Sequence, residues 1–229
     1  MSRVTFFTGF KKAVPIMLGY TPLGLAFGVI AREKGLTVLQ TALMSLTSFS
    51  GSGQFITVGM LGVGASIPAI LLTNLLVNSR YLLFSASMAP HVKKMPSWIQ
   101  AILAFGITDE TFTLNMVEFE KRGGDRDFML GVNIFSHLSW IASSTVGAAV
   151  GNLIPDINRY GVNFALPAMF IALLAMQVKN RTTLWVSALA GAVSLGVYMQ
   201  IQNGSHIIIA TIAAASIGVI LCPCRRKSM

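Results

Sequence analysis

Long runs of apolar residues, separated by short polar segments, dominate this chain of 229 residues. A helix that crosses a membrane needs about 20 consecutive, mostly apolar residues. Windows of that kind predict spans at 13–31, 38–62, 65–89, 98–118, 128–154, 161–178, 182–202 and 205–221. We therefore expect an all-α fold, a polytopic transmembrane helical bundle of about eight spans with possible broken helices.

The composition agrees with a multi-pass membrane protein in a lipid bilayer. The chain is 54% hydrophobic and only 11% charged, whereas soluble domains are about 25% charged. Its net charge of +9 comes from basic residues that lie mostly between the apolar runs. Such residues orient spans and contact lipid headgroups. We see no basic and aromatic stripe, so no nucleic-acid partner is expected.

The basic residues also predict the orientation of the spans. With the N-terminus inside, the segments expected inside carry 11 Lys and Arg residues, and those expected outside carry 5. Positively charged loops stay in the cytoplasm. Both termini are therefore predicted to be cytoplasmic, which requires an even number of crossings, and six is possible if one run is re-entrant.

Charged residues inside two apolar runs predict a functional site. Asp109 and Glu110 interrupt the run 98–118, and Arg80 interrupts 65–89. Each such charge costs at least about 2.5–3.5 kcal/mol at mid-bilayer, and charges placed there usually mark a solute or ion pathway. We expect Asp109 to carry a coupling proton and one carboxylate to pair with Arg80. A purely structural ion pair is the alternative.

A polar segment in the middle of run 38–62 predicts a broken helix with a substrate site. Glycine lowers the cost of unwinding a helix, and the N-terminus of a half-helix attracts a carboxylate. Close helix packing through small residues is the alternative reading, and a bidentate clamp by Arg80 is the alternative for the carboxylate. The candidate substrate-binding residues are Ser50, Gly51, Ser52, Gly53, Gln54, Asn78 and Arg80.

His137 is a further candidate for proton coupling, with Asp109 and Glu110. A histidine within a span more often bonds to a neighbouring helix, so this role competes with a structural one. Ser52 and His137 together suggest an intramembrane hydrolase as a remote alternative, but the G-x-S-x-G elbow and the H-E-x-x-H motif are absent from the sequence. We therefore expect no enzyme activity, no metal site and no cofactor.

Four blocks of sequence resemble those of a known family. They are Pro15-Ile-Met-Leu-Gly19-Tyr20-Thr-Pro22-Leu-Gly24, Phe49-Ser-Gly51-Ser-Gly53-Gln54-Phe55, Leu76-Val-Asn78-Ser-Arg80-Tyr81 and Thr108-Asp109-Glu110-Thr111-Phe112. In this order they resemble the AzlC-type exporters of branched-chain amino acids. Two departures, Ser79-Arg80-Tyr81 and Ser52, bear on the details of the substrate.

The resemblance implies a bacterial cytoplasmic-membrane exporter of leucine, isoleucine or valine. It also implies a small AzlD-like membrane protein as second subunit, and proton antiport as the driving reaction. A passive channel or an accessory membrane subunit for small neutral solutes remains the alternative function.

Glycines recur along the chain at an offset of 122–126 residues, as in Gly9 and Gly131 or Gly24 and Gly147. The offset corresponds to four predicted spans, so a weak internal repeat would run parallel. We expect a single membrane transport domain, 1–229, with possible halves 1–124 and 125–229.

Overall fold

The fold is helical throughout the part of the chain that the structure describes. The computed structural model describes residues 3–122, 125–153 and 181–200, together with positions 164, 167, 168, 171, 174, 175, 178 and 216. The helices are α1 (Arg3–Glu33), α2 (Val38–Thr47), α3 (Gly51–Gly62), α4 (Ile67–Asn78), α5 (Arg80–Val92), α6 (Ser97–Phe105), α7 (Asp109–Arg122), α8 (Arg126–Val150) and α9 (Arg181–Gln200). The predicted all-α class is confirmed for these residues.

The chain forms two compact units, Met1–Ala165 and Leu166–Met229. Helices α1 to α8 belong to the first unit. Helix α9 belongs to the second and agrees in its bounds with the predicted run 182–202, but its apolar part, Leu184–Val197, is short, and its crossing of the membrane stays a prediction. The predicted spans 161–178 and 205–221 lie outside the described residues, apart from isolated positions. The proposed halves of the chain stay a prediction.

Helices α1 and α8 pack in parallel along their lengths and form the centre of the first unit. Gly9 of α1 faces the backbone of Phe128, and Gly28 faces the backbone of Ser144, so contacts advance together along both helices. Gly147 of α8 faces the backbone of Leu25 in return. Because glycine has no side chain, the two backbones approach closely. The glycines that suggested a repeat thus form this interface.

Helices α2 and α3 form a re-entrant hairpin, called hairpin 1. Helix α2 starts just after the end of α1, and α3 ends at Gly62, where a Cβ atom would lie 2.7 Å from Cδ of Lys34. Both ends of the hairpin therefore lie at the end of α1 that holds Glu33, which we call the second face. The predicted span 38–62 is wrong as a crossing helix, because its polar centre reverses the chain.

Helices α6 and α7 form hairpin 2, which enters from the opposite end. Phe84 of α5 stacks on Phe112 of α7 at 4.4 Å, and His91 stacks on Phe119 at 4.7 Å, so α7 runs parallel to α5. Since α6 lies between them in the chain, it runs in the opposite direction. Ala13 packs with Phe128 at the start of α8, and the same cluster includes Leu114 of α7. Hairpin 2 therefore belongs to the Arg3 end of α1, the first face, and the predicted span 98–118 is also not a crossing.

Three helical segments join the two faces in residues 3–153. Helix α1 is long and apolar enough to cross a membrane, and α4 with α5 passes the same test if the pair, bent by 40° at Ser79, is one span. Helix α8 lies alongside α1 from end to end and covers the same depth. The prediction of eight spans is not confirmed, since two of the five in this region are hairpins.

The two hairpins reveal an inverted internal repeat that the sequence reading did not predict. The first repeat is α1, α2 and α3, and the second is α4 with α5, then α6 and α7. Helix α2 begins at residue 38 and α6 at 97, while α3 begins at 51 and α7 at 109. The offset is thus 58–59 residues. Each repeat has one crossing followed by one hairpin, and the two run in opposite directions across the bundle.

Candidate functional site

The tips of the two hairpins meet at the side chain of Arg80. Its Nη2 atom donates to Oγ of Ser52 in hairpin 1 at 2.9 Å. The same Nη2 lies 3.1 Å from Oδ2 of Asp109 in hairpin 2. Arg80 begins α5 directly after the bend at Ser79. Ser52, Arg80 and Asp109 are therefore brought together, with one cation shared between two re-entrant tips.

The adjacent carboxylates of hairpin 2 have different partners. Asp109 faces Arg80, whereas Glu110 accepts a 2.7 Å hydrogen bond from the hydroxyl of Tyr20 on α1. Neighbouring residues on a helix point about 100° apart, which prevents both carboxylates from binding the same guanidinium. The structure thus agrees with the expected pairing of one carboxylate with Arg80 and identifies that carboxylate as Asp109.

The surroundings of Arg80 favour an anion. Helices α3 and α7 both begin at the hairpin tips, so two half-helix N-termini, each with a positive dipole end, lie near the guanidinium. Within the described residues the buried Nε of Arg80 has no hydrogen-bond partner. A second acceptor group, such as a ligand carboxylate, would satisfy this donor.

The predicted break in the second apolar run is confirmed: α2 ends at Thr47 and α3 begins at Gly51, so the break lies at Ser48–Ser50. Ser50 is the N-cap of α3, and its Oγ accepts from the backbone N–H of Gly53 at 3.2 Å. The same hydroxyl donates to Oδ1 of Asn78 at 2.8 Å. Gly51, Ser52 and Gly53 form the first helical turn, with Gly51 against the indole of Trp140.

Gln54 holds the tip of hairpin 1 together. Its amide nitrogen donates to the carbonyls of Met44 at 3.0 Å and Ser48 at 2.6 Å, and its Oε1 accepts from the indole N–H of Trp140 at 2.9 Å. With only 1% of its surface exposed, Gln54 positions the tip in this conformation. Its contact with substrate stays a prediction.

His137 lies on α8 beside both tips and away from the Arg80–Asp109 pair. Its Nε2 is 2.8 Å from the carbonyl of Ser45, and its ring lies 4.5 Å from Phe49 and 5.3 Å from Phe105. Ser52 binds Arg80 instead, so the described residues do not form the Ser–His pair of a hydrolase. A proton-relay role for His137 stays a prediction.

The site contains residues that sequence reasoning did not select. Tyr20 is 7% exposed, and its hydroxyl lies 2.7 Å from Oγ1 of Thr108 as well as bonding Glu110. Thr108 precedes α7, and its Oγ1 accepts from the N–H of Thr111 at 3.2 Å. Ser and Thr are preferred at the position just before a helix, where the side chain accepts a hydrogen bond from a backbone N–H of the first turn. This preference could have identified Thr108 as the residue that caps α7. In the described part no group of three or more His, Cys, Asp or Glu side chains could hold a metal ion.

Comparison with known proteins gives one consistent family. A family described as "AzlC protein" matches residues 15–154. The branched-chain amino acid transport protein AzlC of Bacillus subtilis is 30% identical over 217 residues, covering 94% of this chain and 84% of the relative. Inner membrane protein YgaZ of Escherichia coli is 30% identical over 199 residues, covering 83% and 80%. An uncharacterized membrane protein of Helicobacter pylori is 31% identical over 201 residues, covering 84% and 87%.

No solved structure matches the chain.

Proposed function

The chain belongs to the AzlC family, and from this premise we propose that it exports branched-chain amino acids across the bacterial cytoplasmic membrane by proton antiport. Family membership makes it a membrane transport protein. The substrates leucine, isoleucine and valine, the outward direction and the coupling to protons form the proposal. It is supported by the chemistry of the site and by the similarity to the branched-chain amino acid transport protein AzlC of Bacillus subtilis.

The observation that carries the proposal is the Arg80–Asp109 ion pair between two half-helix N-termini. An amino acid is a zwitterion, so it can insert between the two side chains. The contact between Arg80 and Asp109 is then replaced by one contact of the amino acid with each of them. Its carboxylate would take the guanidinium and face the N-termini of α3 and α7. Its ammonium group would take the carboxylate of Asp109. The net charge of the site stays unchanged, which lowers the cost of moving a charged solute across the bilayer.

Competition at Asp109 supplies the coupling. The ionised carboxylate attracts the substrate's ammonium group, and the protonated carboxyl does not. A proton and a substrate therefore exclude each other at this residue. A carrier that returns with a proton after releasing its substrate is an antiporter.

A cluster of aromatic rings at the hairpin tips suits an apolar side chain of the substrate. The ring of Tyr20 lies 6.0 Å from that of Phe49 and 5.7 Å from that of Trp140, all three being buried at the hairpin tips. Aromatic faces of this kind attract branched aliphatic groups through dispersion and exclusion of water. A polar or charged side chain would lose hydration there without gaining a partner.

The resemblance also implies a small AzlD-like membrane protein as second subunit. Helix α4 offers it a surface, because Ile67, Leu71 and Leu75 are each about two-thirds exposed. Lipid would cover the same face equally well. Leucine counterflow should therefore be measured with the chain alone and with the chain paired with the presumed subunit.

Counterflow in vesicles tests the proposal. We expect labelled leucine to accumulate in vesicles loaded with unlabelled leucine, isoleucine or valine, and not in vesicles loaded with lysine or glutamate. Arg80→Ala should abolish accumulation. The matched control is Ser79→Ala, because the Ser79 hydroxyl only bonds the carbonyl of Leu76 in its own helix.

A proton gradient, acid on the substrate-receiving side, should then drive leucine uphill. Equal leucine flux with and without the gradient, in the chain paired with its subunit, would instead indicate the passive channel. Accumulation independent of the loaded amino acid would refute the branched-chain substrate.

A further inference from the structure

The N-cap residues of the two half-helices occupy equivalent places in the inverted repeat. Ser50 precedes α3 and Thr108 precedes α7, and they lie 58 residues apart. Each hydroxyl accepts from the backbone N–H three residues on, Gly53 in one case and Thr111 in the other. Each therefore fixes the first turn of its half-helix in the same way.

Each cap is also bound by a side chain from the crossing helix of the other repeat. Ser50 bonds Asn78, at the end of α4, at 2.8 Å. Thr108 bonds Tyr20, in the middle of α1, at 2.7 Å. Asn78 and Tyr20 are again 58 residues apart, so the two pairs are related by the repeat. Each crossing helix thus holds the hairpin tip that belongs to the other.

We propose that these pairs are the two gates of the transporter, Ser50–Asn78 closing the second face and Thr108–Tyr20 closing the first. This inference rests on the proposed transport function. Hairpin 1 contacts Arg80 through Ser52, and hairpin 2 contributes Asp109, so each tip meets the pair from the face at which its hairpin enters. Releasing a tip opens the site to that face alone, because the other hairpin stays held.

Arg80 couples both gates to the binding of substrate at the site. Its Nη2 touches Ser52 of hairpin 1 and Asp109 of hairpin 2 at the same time. A substrate that takes over the guanidinium loosens both hairpins at once. Which one opens is then decided by the two cap pairs, and this makes Tyr20 and Asn78 positioning residues for transport.

The gates are unequal in strength. The Tyr20 hydroxyl bonds Glu110 in addition to Thr108, and a hydrogen bond to a carboxylate is roughly twice as strong as a neutral one. The Asn78–Ser50 bond is between neutral groups. The first face should therefore be the more firmly closed in the empty carrier. Breaking its gate should cause the larger increase in access to the site.

Side-specific labelling of a cysteine at the site tests the gates. The background replaces Cys222 and Cys224 by serine and carries Ser52→Cys, and a membrane-impermeant maleimide is applied to one face of oriented vesicles at a time. Tyr20→Phe should speed labelling from the first face by about tenfold or more, as expected for the loss of the charge-assisted bond to Glu110 together with the bond to Thr108. Asn78→Ala should speed labelling from the second face by a smaller factor.

Matched controls lie next to each gate residue. Thr21→Val and Ser79→Ala should leave labelling unchanged, since these hydroxyls bond carbonyls of their own helices, Met17 and Leu76. Thr108→Val, which removes the bond to Tyr20 but leaves the Tyr20–Glu110 bond, should speed labelling from the first face by a smaller factor than Tyr20→Phe, and Thr108→Ser, which keeps the hydroxyl, should restore the original rate. If these substitutions acted only by loosening the fold in general, Thr108→Val and Thr108→Ser would change the labelling rate alike.

Faster labelling from the same face in both gate variants, from both faces in either, or from neither face would overturn the proposal. The readout does not depend on the solute. Face-specific labelling in a chain that fails leucine counterflow would therefore refute the proposed substrate and leave the gates standing.

Discussion

At the scale of single residues, the site separates two tasks between adjacent carboxylates. Asp109 lies against Arg80, where an amino acid could reach it, and Glu110 is held by the hydroxyl of Tyr20 on a different helix. Removing the charge of Asp109 should therefore disturb the coupling of substrate to protons. Removing the charge of Glu110 should disturb the position of hairpin 2. Substitutions that preserve shape can separate these effects.

Asp109→Asn should abolish gradient-driven leucine transport, because the amide cannot take up the coupling proton. Exchange of labelled for unlabelled leucine should survive in part, since the amide oxygen still accepts a hydrogen bond from the ammonium group. Both are measured in the same vesicles at equal protein content. Glu110→Gln, which keeps an acceptor for Tyr20, is the milder control. Full gradient-driven transport in the Asp109 variant would remove this residue from the mechanism.

Arg80→Lys should raise the leucine concentration for half-maximal exchange by about tenfold or more, because an ammonium group cannot replace the guanidinium fork. Ser52→Ala, which removes only the hydroxyl bound by Nη2, should have a smaller effect. Glycine variants are poorer tests of the backbone site. A side chain at Gly53 would meet Asn74, Ser50 and Asn78, and one at Gly51 would meet Trp140. An unchanged half-maximal concentration in Arg80→Lys would leave the helix N-termini as the carboxylate site.

The sequence predicted the charged residues of the site but not its neutral contacts. Arg80 and Asp109 stood out because buried charges are costly wherever the chain folds. Tyr20 and Thr108 are 88 residues apart in the chain, and nothing local in either predicts the other. The pairing of Gln54 with Trp140 was out of reach for the same reason.

At the scale of helices, apolar windows could not distinguish a crossing from a hairpin. The run 38–62 has a polar centre, and its break was predicted. The run 98–118 breaks at Gly106, Ile107 and Thr108, where only the threonine is polar, so no break was expected. Two helices of 9 and 14 residues look like one span when only hydropathy is read.

The parallel contact of α1 with α8 should be intolerant of side chains. A methyl group at Gly28 would collide with the backbone at Ser144 and Ala148, and overpacking of this kind costs about 1–3 kcal/mol. Gly28→Ala should therefore lower the melting temperature of the purified protein by several degrees. Gly19→Ala in the same helix is the control, since nothing lies within 4 Å of its added Cβ. Equal melting temperatures for the two variants would contradict the close contact.

At the scale of the whole molecule, the hairpins change which loops lie on which side. The loop at Lys93 and Lys94 follows α5 and lies at the first face, not the opposite one as an eight-span chain requires. Within residues 3–153, the basic residues at the first face are Arg3, Lys11, Lys12, Lys93, Lys94, Lys121, Arg122 and Arg126, and those at the second are Arg32 and Lys34. The corrected fold thus strengthens the charge bias and predicts a cytoplasmic first face.

Two loops distinguish the arrangements directly. In a cysteine-free background, Lys94→Cys should react with an impermeant maleimide only from the cytoplasm, and Val63→Cys only from outside. Eight continuous crossings predict the reverse at both positions. Lys12→Cys is the control, because both arrangements place it in the cytoplasm. Reaction of Lys94→Cys from outside would show that α2 and α3 together cross the membrane, because only that crossing separates the two arrangements before Lys94.

The neutrality of the Arg80–Asp109 pair has an electrical consequence. A branched-chain zwitterion carries no net charge out, so a cycle that returns one proton on Asp109 moves one positive charge inward for each amino acid exported. Membrane voltage acts on such a charge with about 2.3 kcal/mol per 100 mV. Export would then be electrogenic and would continue on voltage alone when both sides have the same pH. The Asp109→Asn protein, exchanging zwitterion for zwitterion, would carry no current.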